Sequence, residues 1–262
     1  MTPHASEADV PDRSGEERRV IPLYDNVPTR RFPVVTVALI AANFLVFFYE
    51  LKLSTSLLGL DGRAINTFLY RAGMVPFEVA HRADILPRDL VAWWLTPLTA
   101  MFVHGGWLHI IFNMLFLWIF GNNVEDTMGR FKFLVFYLVC GLAAAGLQVA
   151  IDVTSQVPTI GASGAIAGVL GAYIVLFPRA RVLSVIPIFF FFPIIYVPAW
   201  VMLGIWFGLQ LVQGYSSIGG QTDVAFFAHI GGFVAGLLLV WVFTTPTGRS
   251  QRPMAKRSRV RY

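Results

Sequence analysis

A serine set between glycines, at the start of a long apolar segment, is the feature of this sequence best suited to chemistry. Ser163 lies in the run from Gly161 to Gly168, where small residues recur every three or four positions and so line one face of a helix. Such a face lets a neighbouring helix approach closely in lipid, and it leaves the backbone beside Ser163 open to a substrate. Two interpretations remain open: a nucleophilic hydroxyl, or a close-packed helix whose serine bonds to its own backbone.

Histidine and asparagine side chains occur in other apolar segments of the chain. His109 and Asn113 are four residues apart, hence on one helical face, and His229 lies near the start of the last apolar segment. Polar side chains are costly in hydrocarbon, so those found there are functional candidates. A neutral imidazole can take the proton of a serine hydroxyl, which makes Ser163 and His229 candidate nucleophile and general base. No Asp or Glu lies in the apolar part of a predicted span, so we expect a dyad rather than a triad.

The same polar groups could stabilise charge or simply hold helices together. His109 and Asn113 could donate N–H groups to a developing oxyanion, together with backbone N–H groups near Ser163. They could equally bond across helices as structural contacts, and His229 could be a polar residue on a tightly packed helix. We interpret His104 as structural, holding the first outer loop against the second span. A metal site of these three histidines lacks a completing carboxylate or thiol, so we expect neither a metal nor a cofactor.

The composition indicates that membrane-spanning helices carry these residues. Of 262 residues, 56% are hydrophobic and 13% are charged, whereas about a quarter of a soluble domain is charged. Apolar runs long enough to cross a bilayer recur, and the single cysteine, Cys140, lies in one of them as an expected core filler. We predict an all-α fold, a polytopic membrane helix bundle of six transmembrane helices, at residues 34–49, 99–121, 131–151, 161–177, 198–213 and 224–245.

The connections between the predicted spans differ in character. Residues 52–95 are too many for a tight turn, and ordered loops of this length are often functional. Three prolines interrupt the apolar stretch 183–212, so we interpret its first half as an interfacial segment, with Phe189 to Phe192 at its centre, and not as a span. Residues 214–223 are predicted to form a Gly-rich loop.

The distribution of basic residues predicts the orientation of the chain. Five of the 20 Lys and Arg lie in the first outer connection, and the other 15 lie in the tails and the two inner loops. Basic residues favour the cytoplasmic side, so a disordered tail, 1–33, and a basic tail, 246–262, are expected in the cytoplasm, on either side of a membrane domain, 34–245. If 183–197 were a separate span, the basic tail would lie outside. The net charge of +5 therefore indicates membrane orientation and no nucleic-acid partner.

This topology places the candidate residues at one depth. Ser163 and His229 each begin a span that descends from the outer side, and His109 with Asn113 lies in the outer half of another descending span. We therefore expect the four side chains to meet in a wet pocket near the outer surface, although they are distant in the sequence.

Three short motifs carry a resemblance to a known family. The runs His109-Ile110-Ile111-Phe112-Asn113 and Gly161-Ala162-Ser163-Gly164, and the pair Ala228-His229 followed by Gly232, resemble in order and spacing the motifs of rhomboid intramembrane serine proteases of the bacterial six-span type. The resemblance covers residues from about 34 to 245.

The resemblance implies a role for each motif residue. Ser163 would be the nucleophile and His229 the general base, while Asn113, His109 and the Ser163 amide would form the oxyanion hole. Supporting residues would be His104, Gly161 and Gly164. The implied partners are the lipid bilayer and single-span or polytopic membrane protein substrates, cut near the outer leaflet. The fifth span and residues 214–223 would act as gate and cap.

Two positions depart from the pattern of some family members. Ala167 stands where an aromatic side chain can stack on the catalytic imidazole, and Trp93-Trp94 lacks the adjacent Arg of the first outer loop. Two other functions stay open. One is a catalytically silent rhomboid-like protein that binds transmembrane clients, although a binder needs neither Ser163 nor His229. The other is a small-solute transporter, although the sequence shows no inverted repeat. The oligomeric state is also open.

Overall fold

Helices make up most of the structure, and short helices occupy some of the connections between the long ones. The computed structural model describes residues 25–57, 60–85, 91–185, 194–218 and 224–244. The α-helices are α1 (Val34–Leu53), α2 (Arg63–Ala72), α3 (Pro76–His81), α4 (Thr96–Thr99), α5 (Trp107–Phe116), α6 (Asn122–Met128), α7 (Arg130–Ile151), α8 (Ser163–Leu176), α9 (Ala199–Ser217) and α10 (Phe226–Phe243). A π-helical segment, Leu117–Gly121, joins α5 to α6 in one continuous rod.

Four helices in the described part of the chain are long and apolar enough to cross a membrane. They are α1, the rod Trp107–Met128, α7 and α10, and the chain is therefore a multi-pass membrane protein. The apolar helix α8 has only 14 residues. At this length it rises about 21 Å, less than the ~30 Å hydrocarbon core of a bilayer.

The long helices match the predicted spans except for the second. α1, α7 and α10 lie within four residues of their predicted ends. The rod begins at Trp107 rather than residue 99 and continues through Glu125, which was predicted to lie in a polar connection. The Glu125 carboxylate accepts hydrogen bonds from the N–H groups of Val35 and Thr36 and from the Thr36 hydroxyl, at 3.0, 2.8 and 2.8 Å. It thereby satisfies the N-terminus of α1, which favours negative charge.

The prediction of an all-α fold is wrong in one region. Strands β1 (Arg181–Val185) and β2 (Ile194–Pro198) form a two-stranded antiparallel ribbon, in which Arg181 pairs with Pro198 and Val185 with Ile194. β-Branched residues and proline favour extended backbone, and the two strands satisfy each other's N–H and C=O groups. The segment Phe189 to Phe192 lies outside the described residues. α9 also extends four residues beyond its predicted end, so 214–217 are helical rather than loop.

Part of the segment that was predicted to be a disordered tail, from residue 25 onward, packs against the helices. Asp25 is buried, and its carboxylate accepts hydrogen bonds from Asn123 Nδ2, at 2.6 Å, and from the hydroxyl of Tyr173. Its backbone forms an antiparallel bridge with Val182. Burial raises the pKa of the Asp25 carboxyl. Residues 1–24 and the predicted basic tail lie outside the described residues.

The described part of the long connection after α1 contains α2 and α3. Backbone bonds of 3.0 and 2.7 Å link Met74, between these helices, to Thr159, four residues before Ser163. The Thr99 hydroxyl donates to the carbonyl of Ala72 at 2.7 Å. This connection therefore supports the segment that leads into α8.

Helices α7, α8 and α10 form the centre of the bundle. α10 packs mainly against α8 and α7, whereas its contact with α9 is smaller. Gly232 and Gly236 of α10 lie so close to the carbonyl oxygens of Gly164 and Gly168 that an added Cβ would overlap with them. Small residues permit this approach of two backbones. The seam between α8 and α10 thus brings together the N-terminal ends of both helices.

Candidate active site

The serine and the histidine predicted to form a dyad are in hydrogen-bonding contact. Ser163 is the first residue of α8, and His229 lies in the first turn of α10. Ser163 Oγ and His229 Nε2 are 2.7 Å apart, and both side chains are half-buried. This distance suits proton transfer from a hydroxyl to an imidazole.

Gly161 shapes the turn that leads into α8. Its φ of +115° lies in the region that favours glycine. A Cβ at this position would stand 2.6 Å from His109 Nε2. The backbone N–H of Gly161 donates to the carbonyl of Ala100 at 2.8 Å. A glycine is therefore required here both by the turn and by the approach of His109 to Ser163.

His109 presents one ring nitrogen to the site. The N–H of Gly105 donates to His109 Nδ1 at 3.3 Å, so the proton of a neutral ring lies on Nε2, the atom that faces Gly161. One turn further along α5, the Asn113 amide donates from Nδ2 to the His109 carbonyl at 2.8 Å. Both residues line the cavity that contains Ser163 and His229. The structure thus brings all four sequence-predicted side chains to one place.

His104 lies behind His109 and does not line this cavity. It is fully buried, its backbone N–H donates to the Glu50 carboxylate at 3.1 Å, and its ring meets the His109 ring edge-on, with centroids 5.0 Å apart. Glu50 belongs to the last part of α1, beyond the predicted end of the first span. Within the described residues, His, Cys, Asp and Glu side chains form no group of three that could hold a metal ion.

Two cavities of different character meet at His109, and Ser163 and His229 line the first of them. A cleft of about 380 Å³ lies between α5, α8, α9 and α10, and apolar side chains such as Phe112, Leu170 and Trp206 form much of its wall. A second cavity of about 750 Å³ is lined by polar groups that include Gln148 and Asp152. His109 lines both cavities. The candidate site therefore has an apolar side and a polar side.

Sequence reasoning missed two side chains on α9 that touch His229. Gln210 is buried, and its Oε1 lies 2.7 Å from His229 Nδ1, the nitrogen that does not face Ser163. The Trp206 ring lies 5.9 Å from the imidazole, centroid to centroid, at a tilt of 39°. The two residues are four apart, hence on one helical face. That spacing in the sequence is the feature that could have identified the two residues as partners of His229, although neither carries a carboxylate. Ala167, which was noted as lacking an aromatic ring, is fully buried.

A second glutamine supports the start of α10. Gln148 of α7 accepts a hydrogen bond from the N–H of Ala228 at 3.2 Å. The same N–H also donates to the carbonyl of Ala225 at 3.1 Å, so it is shared between two acceptors, and the contact with Gln148 ties the turn that carries His229 to α7.

Comparison with known proteins gives a consistent match. The family model described as the Rhomboid domain matches residues 91–246, which include all the candidate residues above. The chain is 30% identical over 188 residues to the mitochondrial Rhomboid protein 1 of Saccharomyces cerevisiae, covering 68% of this chain and 50% of the yeast protein. It is 33% identical over 211 residues to Rhomboid protease GluP of Bacillus subtilis, covering 79% and 35%. It is 27% identical over 219 residues to Rhomboid protease AarA of Providencia stuartii, covering 78% and 70%. The chain thus spans half or less of the length of the first two relatives.

Proposed function

The chain belongs to the rhomboid family, and we propose that it is an intramembrane serine endopeptidase that cleaves membrane-spanning segments of other proteins near the outer leaflet. The observation that carries the proposal is the 2.7 Å contact between Ser163 Oγ and His229 Nε2 at the wall of a cleft. Two of the similar proteins are named rhomboid proteases, which supports the same reaction class.

The chemistry follows from the dyad. Ser163 Oγ attacks the carbonyl carbon of the scissile bond while His229 Nε2 takes the hydroxyl proton. The tetrahedral intermediate collapses with loss of the amine, which takes that proton from His229. Water then attacks the acyl-enzyme ester while His229 takes one of its protons; the Ser163 oxygen leaves and takes that proton back, and the released acid ionises to the new carboxylate. No charged side chain is needed beside the serine, because the neutral imidazole is itself the base.

Three donors are available to the oxyanion. The Ser163 N–H lies in the first turn of α8, where backbone donors have no partner within the helix and the helix dipole favours negative charge. His109 Nε2–H and the Asn113 amide approach from α5 across the same cleft. Donors held in place before the reaction stabilise charge without reorganisation, and the loss of one such donor costs about 10²- to 10³-fold in rate.

The two cavities suit the two reactants. An apolar cleft can accept a segment from lipid, and the polar cavity can bring water as far as His109, which also lines the cleft. The substrate helix must unwind locally, because the peptide carbonyls of a helix are already hydrogen-bonded. We therefore expect cleavage in segments with small and helix-weakening residues at the cut.

The proposed topology has six spans within residues 34–245, with α8 and α9 added to the four long helices. Both termini then lie in the cytoplasm, and the helices cross the cell inner membrane. The excess of basic residues in the two tails and the two predicted inner loops supports this orientation.

Cleavage by purified variants tests the proposal. In detergent, with a labelled model transmembrane substrate, Ser163→Ala and His229→Ala should each lower turnover by about 10³-fold or more, since the residues of a catalytic dyad act as a unit. Ser216→Ala is the matched control, because the Ser216 hydroxyl bonds to its own helix at Val212. A serine-reactive fluorophosphonate should label wild type and Ser216→Ala but not Ser163→Ala. Equal cleavage by wild type and Ser163→Ala would reject the proposed mechanism. Substrate capture without cleavage by wild type would favour the silent binder.

A further inference from the structure

The second nitrogen of the candidate base has a partner that no sequence motif predicted. Gln210 Oε1 lies 2.7 Å from His229 Nδ1, while His229 Nε2 faces Ser163 at the same distance. The imidazole is therefore held between a hydroxyl from α8 and an amide from α9. The geometry points to a role for Gln210 that goes beyond the proposed dyad and rests on it.

We propose that Gln210 is a positioning residue, which fixes the tautomer and the ring orientation of His229 from α9. A base that accepts the serine proton at Nε2 must carry its own proton on Nδ1. Nδ1–H is then a donor in a poorly hydrated site and needs an acceptor. The amide oxygen of Gln210 supplies it.

An amide is suited to this position in a membrane. A carboxylate would have to be desolvated on burial, which is costly, whereas a primary amide is neutral. It still offers an acceptor oxygen with two lone pairs. Gln210 thus takes the orienting role that a carboxylate has in a catalytic triad, without placing a charge beside the dyad.

The position of Gln210 on α9 links the base to the wall of the cleft. α9 makes a smaller contact with α10 than α7 or α8 does, and the cleft lies between α9 and its neighbours. Elsewhere on α9, Gly204 and Gly208 have no atom within 4 Å of where a Cβ would stand. The contact between Gln210 and His229 is a side-chain hydrogen bond from α9 to α10, and it forms only when α9 lies against the dyad.

A series of substitutions at Gln210 separates positioning from packing. Gln210→Met keeps the length and bulk of the side chain without an acceptor. Gln210→Asn keeps the amide but shortens its reach by one methylene group. Gln210→Glu restores an oxygen at full reach, which can accept a hydrogen bond whether or not the carboxyl is protonated. Gln213→Met is the matched control, since Gln213 is an exposed glutamine on the same helix.

Two rates are measured for each variant: kcat for a model transmembrane substrate, and inactivation by a fluorophosphonate. The reagent is small and needs no helix to pass the cleft, so its rate reports on the dyad alone. A positioning role predicts that Gln210→Met and Gln210→Asn each lower both rates by about 10-fold, the usual effect of one lost hydrogen bond, with KM little changed. Gln210→Glu should recover most of the loss, and Gln213→Met should match wild type.

The outcomes are distinct. A purely structural role predicts that Gln210→Met has the same rates as Gln210→Glu. Inactivation of Gln210→Met and Gln210→Asn at the wild-type rate would overturn the inference. A fall in cleavage with no fall in inactivation would also overturn it, because Gln210 would then act on substrate passage. Two variants lack the contact, so the result does not depend on the folding of either one. If Ser163→Ala were active, the proposed function itself would fail; if only the Gln210 variants were unaffected, the inference alone would fail.

Discussion

Two sides of the bundle use the same residue type in opposite ways. On α10, Gly232 and Gly236 touch the backbone of α8, and a Cβ at either position would overlap with a carbonyl oxygen. On α9, Gly204 and Gly208 have the same four-residue spacing, yet the space beside them is open. A small-residue stripe therefore marks a closed seam on one helix and an unfilled face on the other.

The difference separates two tasks at the candidate site. The seam of α8 and α10 sets the distance between Ser163 and His229 through backbone contact, which cannot adapt. Gln210 and Trp206 reach His229 from the more loosely held α9. The seam of α8 and α10 thus sets the distance between Ser163 and His229, whereas the orientation of the His229 ring depends on α9.

The strongest test of this comparison is an alanine on the closed seam. Gly236→Ala should force α8 and α10 apart and lower cleavage by at least ~100-fold, because a displacement of about 1 Å at reacting groups has that effect. The matched change, Gly208→Ala, adds a methyl group to open space on α9 and should leave cleavage near wild type. Turnover of a model substrate in detergent checks both. Similar losses for the two variants would remove the distinction between the sides.

A smaller effect is expected at the turn before α8. Gly161→Ala combines a positive φ with a Cβ placed 2.6 Å from His109 Nε2, so His109 must move away from the oxyanion position. We expect kcat to fall about 10- to 100-fold, with little change in KM. Gly146→Ala is the control, because open space surrounds its Cβ position on α7. A wild-type kcat for Gly161→Ala would argue against an oxyanion role for His109.

The rigid side continues to the opposite end of α8, where Asp25 bonds to Tyr173. Asp25→Ala should lower the free energy of unfolding by about 1–3 kcal/mol, because it leaves the buried Asn123 amide and Tyr173 hydroxyl without their acceptor. Thermal unfolding in detergent measures the loss. An unchanged midpoint would mean that the residues before α1 do not support the bundle.

The pH dependence of stability at Asp25 has a definite sign. Burial raises its pKa above the ordinary 3.8, so the folded state holds the proton more tightly than the unfolded state. The contribution of Asp25 to stability is therefore fully present below the ordinary pKa and decreases as pH rises through the folded pKa. Asp25→Asn does not titrate, so its unfolding midpoint should rise relative to that of wild type over the pH range that begins at the ordinary pKa of 3.8 and extends upward. A constant difference across this range would contradict a raised pKa.

The smallest effect is expected on the open face of α9. Gly204→Ala adds no contact there and replaces a poor helix former, so the free energy of unfolding should rise by up to about 1 kcal/mol. Chemical unfolding in mixed micelles can resolve this change. A clear loss of stability would show that the face is covered when the protein is in a membrane.

Local pattern was sufficient wherever one helix decides the outcome by itself. The apolar runs located α1, α7 and α10, and the four-residue spacing of His109 and Asn113 placed both on one face. The glycine–serine motif and the last histidine named a pair that the structure places 2.7 Å apart. The helix positions could be predicted because length, hydrophobicity and helical period are properties of a short segment.

The remaining features depend on partners far away in the sequence. Glu125 lies between the predicted second and third spans, but it caps α1 from 89 residues away. Asp25 was read as part of a disordered tail, but it satisfies donors on α6 and α8. Nothing in the sequence of α9 distinguishes Gln210, and only the packing of α9 beside α10 shows that it contacts Nδ1 of His229.

The sequence by itself therefore determined that this is a membrane protein with apolar helices, and which serine and histidines are suited to chemistry. Only the tertiary structure decided how the base is held, where the chain forms a ribbon, and which glycines are closed against a neighbour. The physical reason is that a hydrogen bond or a backbone contact between two helices is a property of their relative position, which neither segment encodes alone.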